Sequence, residues 1–291
     1  MARNVRSTQY VLCSIYRIDF TVFGGRMPLP LYQVDAFTQE PFRGNPAAVC
    51  VLRTFFEDRT LAAIAREMNL SETAFVVPLA RGFHLRWFTP VAEVALCGHA
   101  TLATAHVLWQ HEGVVEDLEF HTPSGLLRAQ RLGDWIALDF PQQPVTPLED
   151  QQVQASIITA LGTTPLFMGQ AGSDLLVELA AADAVAQLKP DFDQIARLPC
   201  RGLIVTARSE NYEYDIISRF FAPQLGIPED PVTGSAHCSL YPYWQAKLGQ
   251  RELVAYQASA RGGVIRMQPQ GGDRLLLLGQ AVTIFSGELL L

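Results

Sequence analysis

Arg86-Trp87-Phe88-Thr89-Pro90 and Arg219-Phe220-Phe221-Ala222-Pro223 are two versions of one pentapeptide, 133 residues apart. Each ends a strand-like run and is followed, after a loop, by a glycine that opens a helix. In the first copy this is Gly98-His99-Ala100-Thr101, and in the second Gly234-Ser235-Ala236-His237. Both helices run to a tryptophan, Trp109 and Trp244. One plan used twice indicates a duplicated domain and a pseudo-two-fold molecule.

Around these anchors the chain reads as short strands with turn residues between them. In the first half the runs are Leu31–Phe37, Ala47–Leu52, Ala74–Leu79, Phe83–Phe88, Leu118–His121, Leu126–Gln130 and Trp135–Phe140. The second half repeats the alternation from Leu175 to Phe285. Helical periodicity is sparse. Leu61, Ile64, Ala65 and Met68 share one face of a helix over Arg59–Met68 that Asp58 is placed to cap. Further helices are expected over Gln152–Leu161 and from Ser235 to Lys247. Strands wrapped around a few helices argue for an α+β fold over a doubly wound parallel sheet. We expect an N-terminal domain over 27–141 and a C-terminal one over 142–291, the last strand being allowed to cross back to the first domain.

At 291 residues the chain is long enough for two cores. Its 22 Lys and Arg against 29 Asp and Glu give the wrong sign for a phosphate-backbone binder, so no nucleic acid partner is expected. Cys13, Cys50, Cys97, Cys200 and Cys238 are odd in number and form no CxxC pair, and read as reduced thiols in a cytoplasmic protein. No apolar run reaches the ~18 residues a membrane helix needs. Residues 1–26 read as a leader, a tag-like remnant or a misassigned start, or else as an extra edge strand.

Three places carry candidate chemistry. A helix opening with glycine exposes backbone N–H groups and stabilises a carboxylate by roughly 0.3–1 kcal/mol, and Gly98 and Gly234 stand at two such openings. In Asn69-Leu70-Ser71-Glu72, Glu72 sits where a helix-ending turn feeds an apolar strand. Burial there would raise a carboxylate from about 4.3 toward the range useful for proton transfer. In Glu229-Asp230-Pro231-Val232-Thr233-Gly234-Ser235-Ala236-His237, Asp230 and Ser235 are suited either to a ligand or to capping. His99 is placed to donate to a substrate oxygen or to move a proton. GxGxxG after a strand, GxxxxGK[ST], HExxH and GxSxG are all missing, so no nucleotide, metal or other cofactor is expected.

Taken together, Asp35-Ala36-Phe37, Gly44-Asn45-Pro46, Asn69-Leu70-Ser71-Glu72, Phe88-Thr89-Pro90, Cys97-Gly98-His99-Ala100 and Glu229 to His237 resemble the phenazine-biosynthesis (PhzF-like) isomerases, relatives of diaminopimelate epimerase. The resemblance covers the chain from residue 29 onward. It implies two similar domains, each a barrel-like, mostly antiparallel sheet around a central helix, with the active site in the cleft between them. It implies Glu72 as acid/base, His99 and Asp230 beside the substrate, and Asn45, Ser71, Gly98, Gly234 and Ser235 as substrate-binding residues. Cys97 falls where related racemases carry one of two opposed thiols, but the partner position holds Asp230-Pro231. The function expected is a cofactor-independent proton shift on a small carboxylate, in a homodimer. An amino-acid epimerase or racemase, and a carboxylate-binding protein without turnover, are the rival readings.

Overall fold

The computed structural model describes Thr8–Tyr10, Asp19–Thr21 and residues 28–291. The two N-terminal segments pair as short antiparallel strands; the rest of the leader or extension expected over 1–26 lies outside the described residues. Among the described residues there are six α-helices: α1 Asp58–Met68, α2 Gly98–Gln110, α3 Gln151–Leu161, α4 Ala182–Ala186, α5 Phe192–Ile195 and α6 Gly234–Leu248. Strands make up most of the remaining regular structure, a mixed, sheet-dominated α+β fold. The chain separates into two compact units. The first holds residues up to Phe42, Pro46–Leu138 and Gln280–Leu291; the second holds Arg43–Asn45 and Asp139–Gly279.

The two units repeat one order of strand pairing. In the first, Asn45–Val51 runs parallel to Glu72–Pro78, with α1 as the crossover between them. Glu72–Pro78 pairs antiparallel with Phe83–Phe88, which also takes Glu93–Val94 antiparallel and Leu118–Thr122 parallel. Gly125–Leu132 and Trp135–Pro141 extend that edge. In the second, Asp174–Glu178 lies parallel to Leu203–Arg208, with α4 and α5 in the crossover. Leu203–Arg208 pairs with Ile216–Ala222, which takes Ile227–Asp230 antiparallel and Leu253–Gln257 parallel. Gly263–Gly271 and Arg274–Gly279 continue the series.

Sequence chemistry explains the two central helices. A helix that buries one stripe needs polar residues on the other side, whereas one that is apolar all round must be enclosed. From His99 to Trp109, α2 buries every side chain except His106. In α6 the buried set is Gly234, the run from Ala236 to Tyr241, and Trp244, which donates to Thr206 Oγ1 at 3.0 Å. By contrast α1 is amphipathic: Leu61, Ile64 and Ala65 pack on Phe75, Val77 and Phe88 while its other face is exposed.

One local expectation is corrected. Asp58 does not cap α1; the N-cap is Glu57, whose side chain makes no capping bond, and Asp58 sits inside the first turn. Its carboxylate instead accepts from Arg86 Nη2 at 2.9 Å, because an arginine fork is a stronger partner than a lone backbone amide. The C-terminal strand Ala281–Leu289 runs antiparallel to Leu29–Ala36 along its whole length, inside the first unit. Among the described residues no helix is long and apolar enough to cross a membrane.

Candidate active site

The first cluster forms where α1 hands over to a strand. Asn69 caps α1 in the left-handed region, φ 50°, a conformation asparagine tolerates better than most residues. The chain then turns through Leu70 and the half-buried Ser71 into Glu72, the first residue of its strand. Glu72 Oε2 lies 3.1 Å from His99 Nε2, with side-chain exposures of only 13% and 7%. His99 is delivered by the first turn of α2. That turn starts from an extended Cys97 (φ −146°, ψ 108°), whose side chain makes no capping bond. Thr101 Oγ1 donates to Cys97 O at 2.6 Å and fixes the turn.

Cys97 Sγ stands 3.6 Å from His99 Nδ1. Burial, reinforced by the charge of Glu72, pushes the Cys97 thiol up to about 11, so it is protonated near neutrality. Burial alone would keep His99 neutral, but its neighbours Cys97 and Glu72 outweigh that and hold the imidazole well above 6.5. With the thiol protonated, the Glu72 carboxylate is the anion that sustains the imidazolium. Glu72, Cys97 and His99 also bring ligand atoms within 4.8 Å of one another, a set able to hold a metal ion. Sequence spacing concealed this set, because Glu72 lies on a different element.

A second cluster surrounds the first turn of α6. Asp230 Oδ1 accepts from Asn45 Nδ2 at 2.8 Å, and Asp230 Oδ2 accepts from Thr233 Oγ1 at 2.5 Å. Asn45, expected at the substrate, is fully buried and gives its other amide hydrogen to Val232 O at 2.9 Å; in the structure it holds the Asp230 loop. Gln257 clamps the same loop, donating to Asp230 O at 2.7 Å and accepting from Thr233 N–H at 2.8 Å. Thr233 is the N-cap of α6, yet its hydroxyl serves Asp230 and makes no capping bond to the turn at Gly234 and Ser235.

Gln257, Thr233 and the Asp174–Arg201 pair beside Ser235 escaped the sequence reading. Gln257 meets Thr233 across 24 residues and Asp174 meets Arg201 across 27, separations over which a single polar residue gives no signal of its partner. His106 and His111 both reach Thr283 Oγ1, at 2.9 and 2.8 Å. Burial pushes His106 down to about 4, so it is neutral in the folded protein.

Comparison with known proteins agrees with this architecture. Residues 34–287 match the family model described as phenazine biosynthesis-like protein, PhzC-PhzF. The chain is 50% identical over 267 residues to an uncharacterized isomerase of Halalkalibacterium halodurans, covering 91% of this chain and 100% of that one. It is 47% identical over 264 residues to an uncharacterized isomerase of Pseudomonas aeruginosa, covering 90% and 99%. The crystal structure of a phenazine biosynthesis protein of the PhzF family from Enterococcus faecalis superposes with a TM-score of 0.85 at 42% identity, covering 91% of this chain and 100% of that one.

Proposed function

The chain belongs to the phenazine biosynthesis-like (PhzC-PhzF) family and is an isomerase, and from this premise we propose that it shifts a proton within a small carboxylate substrate without a cofactor. The observation that carries the reading is the enclosed pair of Glu72 and His99 at the open first turn of α2. A carboxylate beside an imidazolium, screened from bulk water, can take a proton from carbon and return it at another position, with no other reactant consumed. His99 holds Glu72 in place and, as an imidazolium, stabilises negative charge that develops on the substrate. In the second unit, the first turn of α6 and the Ser235 hydroxyl are suited to a carboxylate. Asp230, held by Asn45 and Thr233, keeps that turn in shape. A homodimer in the cytoplasm belongs to the same reading, and light scattering on the purified protein tests the dimer.

Incubating the protein with carboxylate metabolites in deuterium oxide and scoring mass gain tests the activity. Glu72→Gln keeps the shape and removes the base, so exchange is expected to fall by about 10²–10⁴ while melting stays near wild type. Exchange is also expected to persist in EDTA. Activity within about threefold of wild type in Glu72→Gln would remove Glu72 from the mechanism.

Cys97 supports a second reading, racemisation at a Cα, because its sulfur lies beside His99. Solvent deuterium at an inverted centre, lost in Cys97→Ala, would favour it. A thiol held at about 11 is a poor base at neutral pH, and this favours the Glu72 reading.

A further inference from the structure

Arg201 lies in the loop before Leu203–Arg208, and its backbone is pinned on both sides. Its N–H donates to Ser173 O at 2.7 Å, and its C=O accepts from Gln224 Nε2 at 2.7 Å. Gly202 beside it leaves room for the Phe220 ring, which a Cβ at that position would meet at 2.2 Å. The Arg201 guanidinium lies over the same ring, 5.5 Å from its centroid. Nε donates to Asp174 Oδ1 at 2.8 Å and Nη2 to Asp174 Oδ2 at 2.5 Å, and Asp174 is buried at 4% exposure. The second hydrogen on Nη2 goes to Ser235 Oγ at 3.0 Å.

That last bond determines what Ser235 can do. A serine hydroxyl has one proton and two lone pairs, whereas a guanidinium can only donate. With one lone pair occupied by Arg201, the Ser235 proton must point elsewhere, and no described residue accepts it. Ser235 is only half-buried, so a ligand can reach that proton. The N-cap Thr233 makes no side-chain capping bond to the neighbouring peptide N–H groups of the α6 first turn. Asp174 neutralises the guanidinium, so the arrangement supplies direction more than net charge. A hydroxyl polarised by a charged donor is also a better donor itself.

We propose that Arg201, locked by Asp174, is a positioning residue that presents the Ser235 hydroxyl as a donor to the carboxylate of the substrate. This rests on the carboxylate reading of the α6 turn given above.

The test is calorimetric titration of the intact protein with anthranilate, and with aniline as the same ring lacking the carboxylate. Anthranilate is expected to bind at least about tenfold more tightly than aniline. Paired replacement Asp174→Asn with Arg201→Gln removes the donor without stranding a buried carboxylate, and should weaken anthranilate about tenfold. Ser235→Ala should cost a similar factor, and all three changes together should cost no more than either, because residues acting through one bond are not additive. Arg201→Lys keeps a cation on Asp174 but loses the fork whose Nη2 also reaches Ser235, so anthranilate is expected to weaken about tenfold with aniline unchanged, and this variant carries the test should the paired one unfold. Losses that multiply in the combined variant, an unaffected Ser235→Ala, or equal binding of anthranilate and aniline would overturn the proposal. Absence of deuterium exchange with this coupling intact would sink the isomerisation instead, so the two failures are distinguishable.

Discussion

At the residue scale, the pairing of Glu72 with His99 sets a pH dependence. His99 is held above its ordinary 6.5, so the imidazolium is present at neutral pH and is lost as pH rises through the elevated value. Exchange should therefore fall along an alkaline limb. His99→Asn retains a donor but cannot titrate; it should abolish that limb and lower the plateau by about 10². A limb that persists unchanged in the variant would assign it to another group. Both residues stood out in the sequence, Glu72 at the end of a helix-turn signal and His99 after its glycine. Their contact did not, because 27 residues separate them and the parallel pairing of Asn45–Val51 with Glu72–Pro78 decides where Glu72 lies. Asn45 shows the converse: its motif was recognised, but full burial gives it a partner in Asp230.

At the element scale, the repeat extends to the arrangement of side chains. Arg86 grips Glu93 through Nε and Nη2, both at 2.7 Å, and Arg219 grips Glu229 through the same atoms at 2.7 and 2.9 Å. Each guanidinium also lies near the phenylalanine two residues on, 5.1 Å from Phe88 and 4.9 Å from Phe221. The glycines that open α2 and α6 are 136 residues apart, against 133 for the pentapeptides. The extra length falls in the second copy, in a loop holding the 3-10 turn Pro223–Leu225. These aromatic strands were legible because alternation and turn residues agreed; Phe83–Phe88 has the expected bounds. Phe167–Ala171 was not, since Met-Gly-Gln shows no alternation and pairing with Asp174–Glu178 and Thr146–Pro147 makes it a strand. Nor did Gln268-Pro269-Gln270 suggest that Gly263–Gly271 would run so far; the ladder to the leucine-rich Arg274–Gly279 carries it. Inside α6, His237 donates from Nδ1 to Thr233 O at 2.8 Å, and burial pushes it down to about 4. Between 6.5 and that value the unfolded chain binds the extra proton, so this contribution is complete above 6.5 and is lost as pH falls toward 4. His237→Gln should flatten the acid loss of stability by up to about 1.4 kcal/mol per pH unit, read from urea midpoints at neutral and mildly acidic pH.

At the scale of the whole molecule, each unit supplies its own enclosed helix, and the first unit takes its last strand from the far end of the chain. A protein ending at Gly279 lacks the partner of Leu29–Ala36 but retains every residue of the second unit. Limited proteolysis with mass mapping is expected to cut it within 46–138 and spare 139–279; equal resistance of both would show that the closing strand is dispensable. The same strand sets a timetable for translation. A nascent chain can finish its second unit as soon as Gly279 clears the ribosome, while the unit begun first must wait for Ala281–Leu289. Until then Leu29–Ala36 presents an unpaired edge, a template for unwanted partners. Translation pauses placed just before Ala281–Leu289 should therefore lower yield more than pauses placed just after it.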